Sequence, residues 1–390
     1  MKILSFGDTH IGADCDEDVR DAIGQIAHKA MEVKPDLAII TGDIYDGSST
    51  PDHRLQAAEM VTDLAEVCPV FIIKGNHDIK KDLEIFRKVG AGNEITVFEQ
   101  PGMVCFGDMC LHILPWFSKS GWIASQAGIN ESIADSDATV SQMALTYLKG
   151  AVASHPDKKH VIFGHLLVAG SRLENHQPLL GDGITFGYHD LVEAGFTAGA
   201  FGHIHLAQSF GGVDGSPTFL YNGSVAALNY GETAANKTFS VLNTDTVKFD
   251  TYQIITVQRM TFDANYNGAV DDDFKDSIAT EIKVPPGETL PVRVRVKLIV
   301  AEGYSSEDAR KAVREHLSAS VPAGCIMKDL KIDVQRKPKD FVRAMEIASA
   351  RTACQKMEAY WSATNTTPDE PMRSDMLGIV SEIEAEVSLR

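Results

Sequence analysis

The sequence predicts an α/β fold in which parallel strands are covered by helices. Three observations carry that reading. Apolar runs of strand length alternate with helically spaced stretches through the first half of the chain. Five of these runs end on a glycine followed by Asp, Asn or His: Gly7-Asp8, Gly42-Asp43, Gly75-Asn76, Gly164-His165 and Gly202-His203. From Pro217 to Val257 the text changes to short β-type runs separated by Gly and Asn.

The elements follow in order. Ile3–Phe6 reads as a strand. Asp16–Val33 is helical, with apolar residues at 19, 22, 23, 26, 27 and 30. Leu37–Thr41 is a strand, Leu55–Val67 a helix and Val70–Ile73 a strand. Thr139–Ser154 is a helix, and Val161–Phe163 and Thr197–Phe201 are strands. Thr218–Tyr221, Thr238–Leu242 and Lys248–Ile255 then close the unit as an antiparallel sheet. Residues 264–291 read as a linker with three prolines. Beyond it, Pro291–Val300 alternates polar and apolar residues, the mark of a strand with one wet face. Ser305–Ser318 is a helix capped by Ser305 or Ser306, and Ile326–Gln335 is the return strand. Phe341–Trp361 and Arg373–Val387 read as two helices, the second with an apolar stripe at 376, 377, 380, 383 and 387. The expected units are 1–262, 263–338 and 339–390.

Totals set further bounds. A chain of 390 residues has room for two or three units. Its apolar runs fall well short of the ~20 residues of a membrane span, and the start lacks a signal-peptide pattern. The expected location is the cytoplasm, or the host cytoplasm if the protein is viral. The six cysteines show no zinc-finger spacing and read as free thiols. The net charge of -18 disfavours non-specific contact with a polyanion. Residues 281–361 nevertheless carry 15 Lys/Arg against 11 Asp/Glu, so the later segment is the part able to approach phosphates.

The strand ends hold the chemistry. Asp8 and His10 follow the first strand, Asp43 the second, and Asn76, His77 and Asp78 the third. His165 closes the next, and His203 and His205 follow the last. Side chains at i and i+2 of an extended chain share a face, so Asp8/His10 and His203/His205 can each converge on one point. Ligand sites in helix-covered parallel sheets lie beyond the carboxyl ends of the strands. An Asp/His/Asn donor set selects Mn²⁺, Zn²⁺ or Fe²⁺ over thiophilic metals. Seven donors exceed one ion's need and fit two ions sharing a carboxylate, an arrangement matched to phosphoester hydrolysis.

These motifs, D-x-H, G-D, G-N-H-D, G-H and G-H-x-H in order, resemble the calcineurin-like metallophosphoesterase superfamily over roughly residues 1–225. The resemblance implies an αββα sandwich holding two divalent ions, Mn²⁺ foremost. Asp8, His10 and His205 would hold one ion, and Asn76, His165 and His203 the other, with Asp43 bridging. His77 would assist the leaving group, and Asp78 would orient His77. The runs Gly42-Asp43-Ile44-Tyr45-Asp46, "FGHIHLAQ" and Tyr221-Asn222-Gly223-Ser224 resemble the SbcD-type DNA repair nucleases. That branch implies an exonuclease/endonuclease subunit of a DNA repair or recombination complex. It would be a homodimer with a small α/β capping domain and C-terminal helices that bind an SMC-like coiled-coil ATPase of the SbcC type. Candidate DNA contacts are Arg172, His176, Arg293, Arg295 and Lys297. The alternative is a small-molecule or cyclic-nucleotide phosphodiesterase on the same core.

Overall fold

A computed structural model describes residues 1–13, 16–117, 137–173, 183–232, 236–284, 287, 289–336, 350, 352–364 and 366–388. The first unit runs β1 (Lys2–Phe6), α1 (Asp16–Val33), β2 (Leu37–Ile40), α2 (Pro51–Ala65), β3 (Val70–Ile73), α3 (Lys80–Leu83) and β4 (Ile95–Phe98). The hairpin β5 (Gly102–Phe106) and β6 (Met109–Leu114) follows, then α4 (Asp137–Ala153), β7 (Lys159–His165), β8 (Leu167–Val168), β9 (Thr185–Phe186) and α5 (Tyr188–Glu193). It ends with β10 (Phe196–Gly202), β11 (Gln208–Gly211), β12 (Thr218–Tyr221), β13 (Thr238–Asn243) and β14 (Lys248–Gln253).

Twelve of these strands form two six-stranded sheets, ordered β14-β13-β1-β2-β3-β4 and β11-β12-β10-β7-β6-β5, and β8 and β9 pair with each other in parallel. In each, the four strands β1 to β4 or β6, β7, β10 and β12 run parallel. The strands are buried on both sides, which is why they read as unbroken apolar runs. Ile3, Ile39, Phe71 and Ile73 of one sheet pack against Leu111, Val161, Phe163 and Ala200 of the other. The outer faces carry α1 and α2 on the first sheet and α4 and α5 on the second. This is the expected αββα sandwich. Local signals place the helices: α2 starts where Thr50 Oγ1 accepts from the His53 N–H at 3.2 Å, with Pro51 in its first turn.

Three expectations change. The residues after 217 do not close as one antiparallel sheet: β12 joins the second sheet parallel to β10, while β13 and β14 extend the first. Residues 264–291 are more than a linker. They hold the end of β15 (Gln258–Tyr266) and helix α6 (Asp272–Glu281), whose Phe274 and Ile278 are buried. Cys105 and Cys110 are not free thiols but are joined as a disulfide, because the register of the β5–β6 hairpin sets them directly opposite.

β15 pairs in parallel with β16 (Leu290–Val300), and β16 with β17 (Cys325–Arg336), so the cap sheet begins before the expected boundary at 263. The alternation of β16 is present, with Val292, Val294, Val296 and Leu298 fully buried beneath α6 and α7 (Ser306–Ser320), but the opposite face is wet only at Lys297 and Ile299, while Arg293 and Arg295 are half-buried. Ser305 caps α7, accepting from Glu307 and Asp308 N–H. The predicted helix over 341–361 falls partly outside the described residues; within them, Ala350 is non-helical and α8 spans Ala353–Thr364. α9 (Glu370–Ser388) packs on α8, with Arg373 and Glu358 2.7 Å apart. Among the described residues no helix is long and apolar enough to cross a membrane.

The polar face of the cap sheet rests on the first unit. Asp18 of α1, only 3% exposed as a side chain, lies 2.9 Å from Arg293 and 3.4 Å from Arg259. Removing one member of a buried ion cluster strands the remaining charge. Asp18→Ala is therefore expected to cost roughly 3–5 kcal/mol, read as a lowered urea midpoint. A loss within that of a surface pair would show that water screens this contact.

Candidate metal centre

All five motifs meet at one place, beyond the carboxyl ends of β1, β2 and β3 from one sheet and β7 and β10 from the other. Ligand atoms of Asp8, His10 and His205 lie within 4.8 Å of one another, and so do those of Asp43, His165 and His203. Asp43 stands between the two groups. Its Oδ2 is 3.6 Å from His10 Nε2 and 3.3 Å from His165 Nε2, while its Oδ1 accepts from the His77 N–H at 2.8 Å. Asn76 Oδ1 is 2.8 Å from both His165 Nε2 and His203 Nδ1.

Sharp turns make this possible. Asp8, His10, Asp43 and His203 all adopt positive φ, at 53°, 44°, 51° and 101°. Such strain in non-glycine residues persists where the surroundings enforce it. Gly42 also has positive φ, and a Cβ there would collide with the His165 ring; a Cβ on Gly75 would collide with the Asp43 carboxylate.

Three of the four imidazole donors are held at Nδ1 by an acceptor, which fixes the tautomer that leaves a lone pair on Nε2 for a cation. His165 Nδ1 donates to Thr41 O at 2.8 Å. His10 Nδ1 lies 2.9 Å from Asp46 Oδ1, and His205 Nδ1 lies 3.0 Å from Glu232 Oε1. Asp46 and Glu232 were missed in the sequence. Asp46 stands inside a quoted motif, but Glu232 follows His205 by 27 positions and carries no motif of its own. Glu232 Oε2 in turn meets Lys237 Nζ at 3.1 Å, and the Lys237 side chain is buried. Trp116 was missed as well; its ring stacks on His203 with centroids 4.6 Å apart.

The electrostatics match a cation site. Burial works to raise the Asp43 carboxyl, but His165 and His10 carry it below the usual carboxylate range. Burial works to lower His165, yet Asp43 and Asp8 push it up to about 9. Burial and neighbouring His165 bring His203 down to about 3. Burial raises Asp8. Desolvation opposes the Glu232 charge, but His205 and Lys237 hold that carboxyl down at about 2. The cluster thus holds carboxylate and imidazole donors together, and a divalent ion takes the place of the shared protons. The mixed O/N donors, two groups and a carboxylate oxygen between them fit a pair of divalent cations.

Two roles differ from expectation. Asp78 does not orient the His77 ring. Its Oδ1 accepts from Ile44 and Tyr45 N–H, and its Oδ2 from Gly75 N–H, so it braces the β2 and β3 turns. Burial, then Asp43, raises its carboxyl to about 6. The His77 ring is held instead by Asp46 O, 3.2 Å from Nδ1. Arg293 is engaged by Asp18 and Glu17, and Arg295 by Asp333 at 2.6 Å, because β16 is the central cap strand and this face is covered by α1 and Tyr230. Arg172 is exposed, its backbone tied to the Gln208 side chain near His205, and Lys297 is exposed. His176 lies outside the described residues.

Glu232 gives a direct test. Glu232→Gln keeps an acceptor for His205 but removes the charge opposite Lys237. It is expected to weaken divalent-metal binding by roughly 10–100-fold, measured by calorimetric titration. Unchanged affinity would mean that His205 is aimed without it.

Comparison with known proteins agrees with this geometry. The chain is 22% identical over 304 residues to a protein of Staphylococcus epidermidis named as the SbcD component of the nuclease SbcCD, covering 73% of this chain and 76% of that one. It is 25% identical over 284 residues to the protein of the same name from Escherichia coli K12, covering 66% and 68%. A shorter match, 26% over 111 residues, is to "DNA double-strand break repair protein Mre11" of Methanococcus maripaludis, covering 25% and 30%. Residues 1–207, more than half of the chain and all of the stretch that carries the clustered donors, match the family described as calcineurin-like phosphoesterase; the chain belongs to that family and is a metal-dependent phosphoesterase.

Proposed function

We propose that the protein is a two-metal DNA phosphodiesterase, the exonuclease/endonuclease subunit of a repair or recombination complex. The observation that carries the two-metal part is the place of Asp43 Oδ2, between the His10 group and the His165 group. The DNA part is supported by relatives named as nucleases along much of the chain and by a cap after the phosphoesterase unit.

Asp8, His10 and His205 would hold one ion, and Asn76, His165 and His203 the other, with Asp43 shared; Mn²⁺ is the proposed metal. When bound, the ions supply Lewis acidity toward phosphate oxygens and an activated water. The chain's own residues do the rest. Asp46 and Glu232 hold imidazole rings in register, and Asp78 locks the two turns that present Asp43 and Asn76. His77 is exposed and, with Nδ1 on Asp46 O, offers Nε2 toward the ester oxygen that departs. Arg172 and Lys297 are the remaining described candidates for phosphate contact.

The C-terminal helices α8 and α9 bind a coiled-coil ATPase in this reading, and the active form is a homodimer in the cytoplasm, or the host cytoplasm for a viral protein. A second reading has support too: the engagement of Arg293 and Arg295 in internal ion pairs and the net charge of -18 favour a small-molecule or cyclic-nucleotide phosphodiesterase. One assay separates them. Linear duplex DNA and bis-p-nitrophenyl phosphate are offered with Mn²⁺, with and without the ATPase. DNA degradation that depends on the metal supports the nuclease. Hydrolysis of the small ester alone, with DNA untouched even beside the ATPase, would overturn it.

A further inference from the structure

The β5–β6 hairpin and the loop after α4 bring together a second group of side chains of the kinds that ligate metals. Trp116 beyond the end of β6 reaches the centre, but Cys110 lies six residues earlier, on the order of 20 Å back along the strand. There Cys105 and Cys110 face each other across the hairpin, their Cα atoms 4.1 Å apart, joined as a disulfide. Their two sulfurs and one ring nitrogen of His155 lie within 4.8 Å of one another.

The His155 ring is oriented as a ligand would be. Ser154 Oγ donates its only proton to Ala151 O at 2.6 Å. At 2.8 Å from His155 Nδ1 it must therefore accept, which places the imidazole proton on Nδ1 and a lone pair on Nε2. The loop is fastened on both sides. The His155 N–H donates to Val152 O at 3.0 Å, and the His155 carbonyl accepts from His160 Nε2 at 3.0 Å. His160, buried, is backed by His112 Nε2 at 2.9 Å from its Nδ1.

The geometry points to a second metal site, formed by reduced Cys105, reduced Cys110 and His155 Nε2, that takes Zn²⁺. Two thiolates and an imidazole are borderline-soft donors that select Zn²⁺. Zinc takes sulfur at about 2.3 Å and nitrogen at about 2.0–2.1 Å in a tetrahedron; both sulfurs and a nitrogen of the His155 ring already lie within 4.8 Å of one another, and rotation of the side chains would bring Nε2 and the separated thiolates onto one ion. The fourth position is left to water. Binding forms two Zn–S bonds and one Zn–N bond and releases two thiol protons to solvent. A small-molecule thiol supplies two electrons and two protons to open the disulfide. A disulfide oxidant takes two electrons from the zinc-bound thiolates, re-forms the S–S bond and releases the ion, and the two thiolates formed from the oxidant take their protons from solvent. Disulfide and zinc thus exclude each other at this hairpin, and the bound ion would pin the loop after α4 to the β5–β6 turn.

The test uses the full chain, reduced with a phosphine, stripped of metal and titrated with Co²⁺. Thiolate-to-cobalt charge-transfer bands are expected and should be displaced by Zn²⁺ added in excess of the three sites together. The centre described above contains no cysteine, so it contributes none of these bands. Cys105→Ser and Cys110→Ser should abolish the bands. His155→Ala, which keeps the backbone hydrogen bonds of this loop and leaves the hairpin sequence unchanged, should weaken Zn²⁺ binding by at least about tenfold. All three variants should keep metal-dependent phosphoesterase activity, which confirms that they are folded. The inference is overturned if reduced wild type gives no bands, or if the bands persist in the serine variants and so belong to other cysteines. Unchanged Zn²⁺ affinity in His155→Ala would also overturn it.

Discussion

If the protein is the nuclease proposed above, His77→Ala is expected to lower kcat on DNA by roughly 10²–10⁴-fold while leaving the metal content unchanged. His77 is exposed at the edge of the centre, and its ring centroid lies 4.8 Å from that of His10. Its Nδ1 is used by Asp46 O, so Nε2 is the atom left for substrate. A group that delivers a proton to the departing oxygen matters most when that oxygen is a strong base. The loss should therefore be larger for DNA, whose leaving group is a sugar alkoxide, than for bis-p-nitrophenyl phosphate, whose phenolate leaves unaided. Steady-state kinetics on both substrates, beside metal analysis of the same samples, makes the measurement. Equal losses on the two substrates would remove the proton-delivery role, and a fall in bound metal would make His77 a ligand instead.

Asp43→Asn should have the larger effect on the metals themselves. The substitution keeps an oxygen to accept from the His77 N–H, so the turn is preserved. It removes the negative charge that His165 and His10 both face. Two cations a few Å apart repel each other, and a shared carboxylate offsets that repulsion. The variant is expected to lose the paired occupancy, binding one ion or none, and to fall to the activity of chelator-treated wild type. Mass-spectrometric metal counting before and after dialysis reads the stoichiometry. Two ions retained at wild-type affinity would show that Asp43 does not bridge.

Much of this site was legible in the sequence. A strand end fixes where its side chains emerge, and the i, i+2 spacing of Asp8/His10 and His203/His205 fixes a common face. Both are local facts, so five short motifs sufficed to name donors that the fold brings together. The glycines were legible for the same reason: the close approach of Gly42 to His165 and of Gly75 to Asp43 leaves no space for a Cβ. The cap strand β16 was readable from its alternation, and the N-cap of α7 from Ser305.

Other features depended on partners far apart in the chain. Arg293 and Arg295 are candidate DNA contacts in the sequence, but the fold sets α1 and Asp333 beside them, with Asp18 and Arg293 275 positions apart. Asp78 stands next to His77 in sequence, yet the turn points its carboxylate at the amides of β2 and β3. Glu232 carries no signal until His205 is folded against it. By itself the sequence determined which donors the strand ends present, because strand periodicity and turn geometry are set by neighbouring residues. Only the tertiary structure decided which charges are spent within the molecule and which face outward, because ion pairing is a matter of distance in space and desolvation, and neither is encoded by position along the chain.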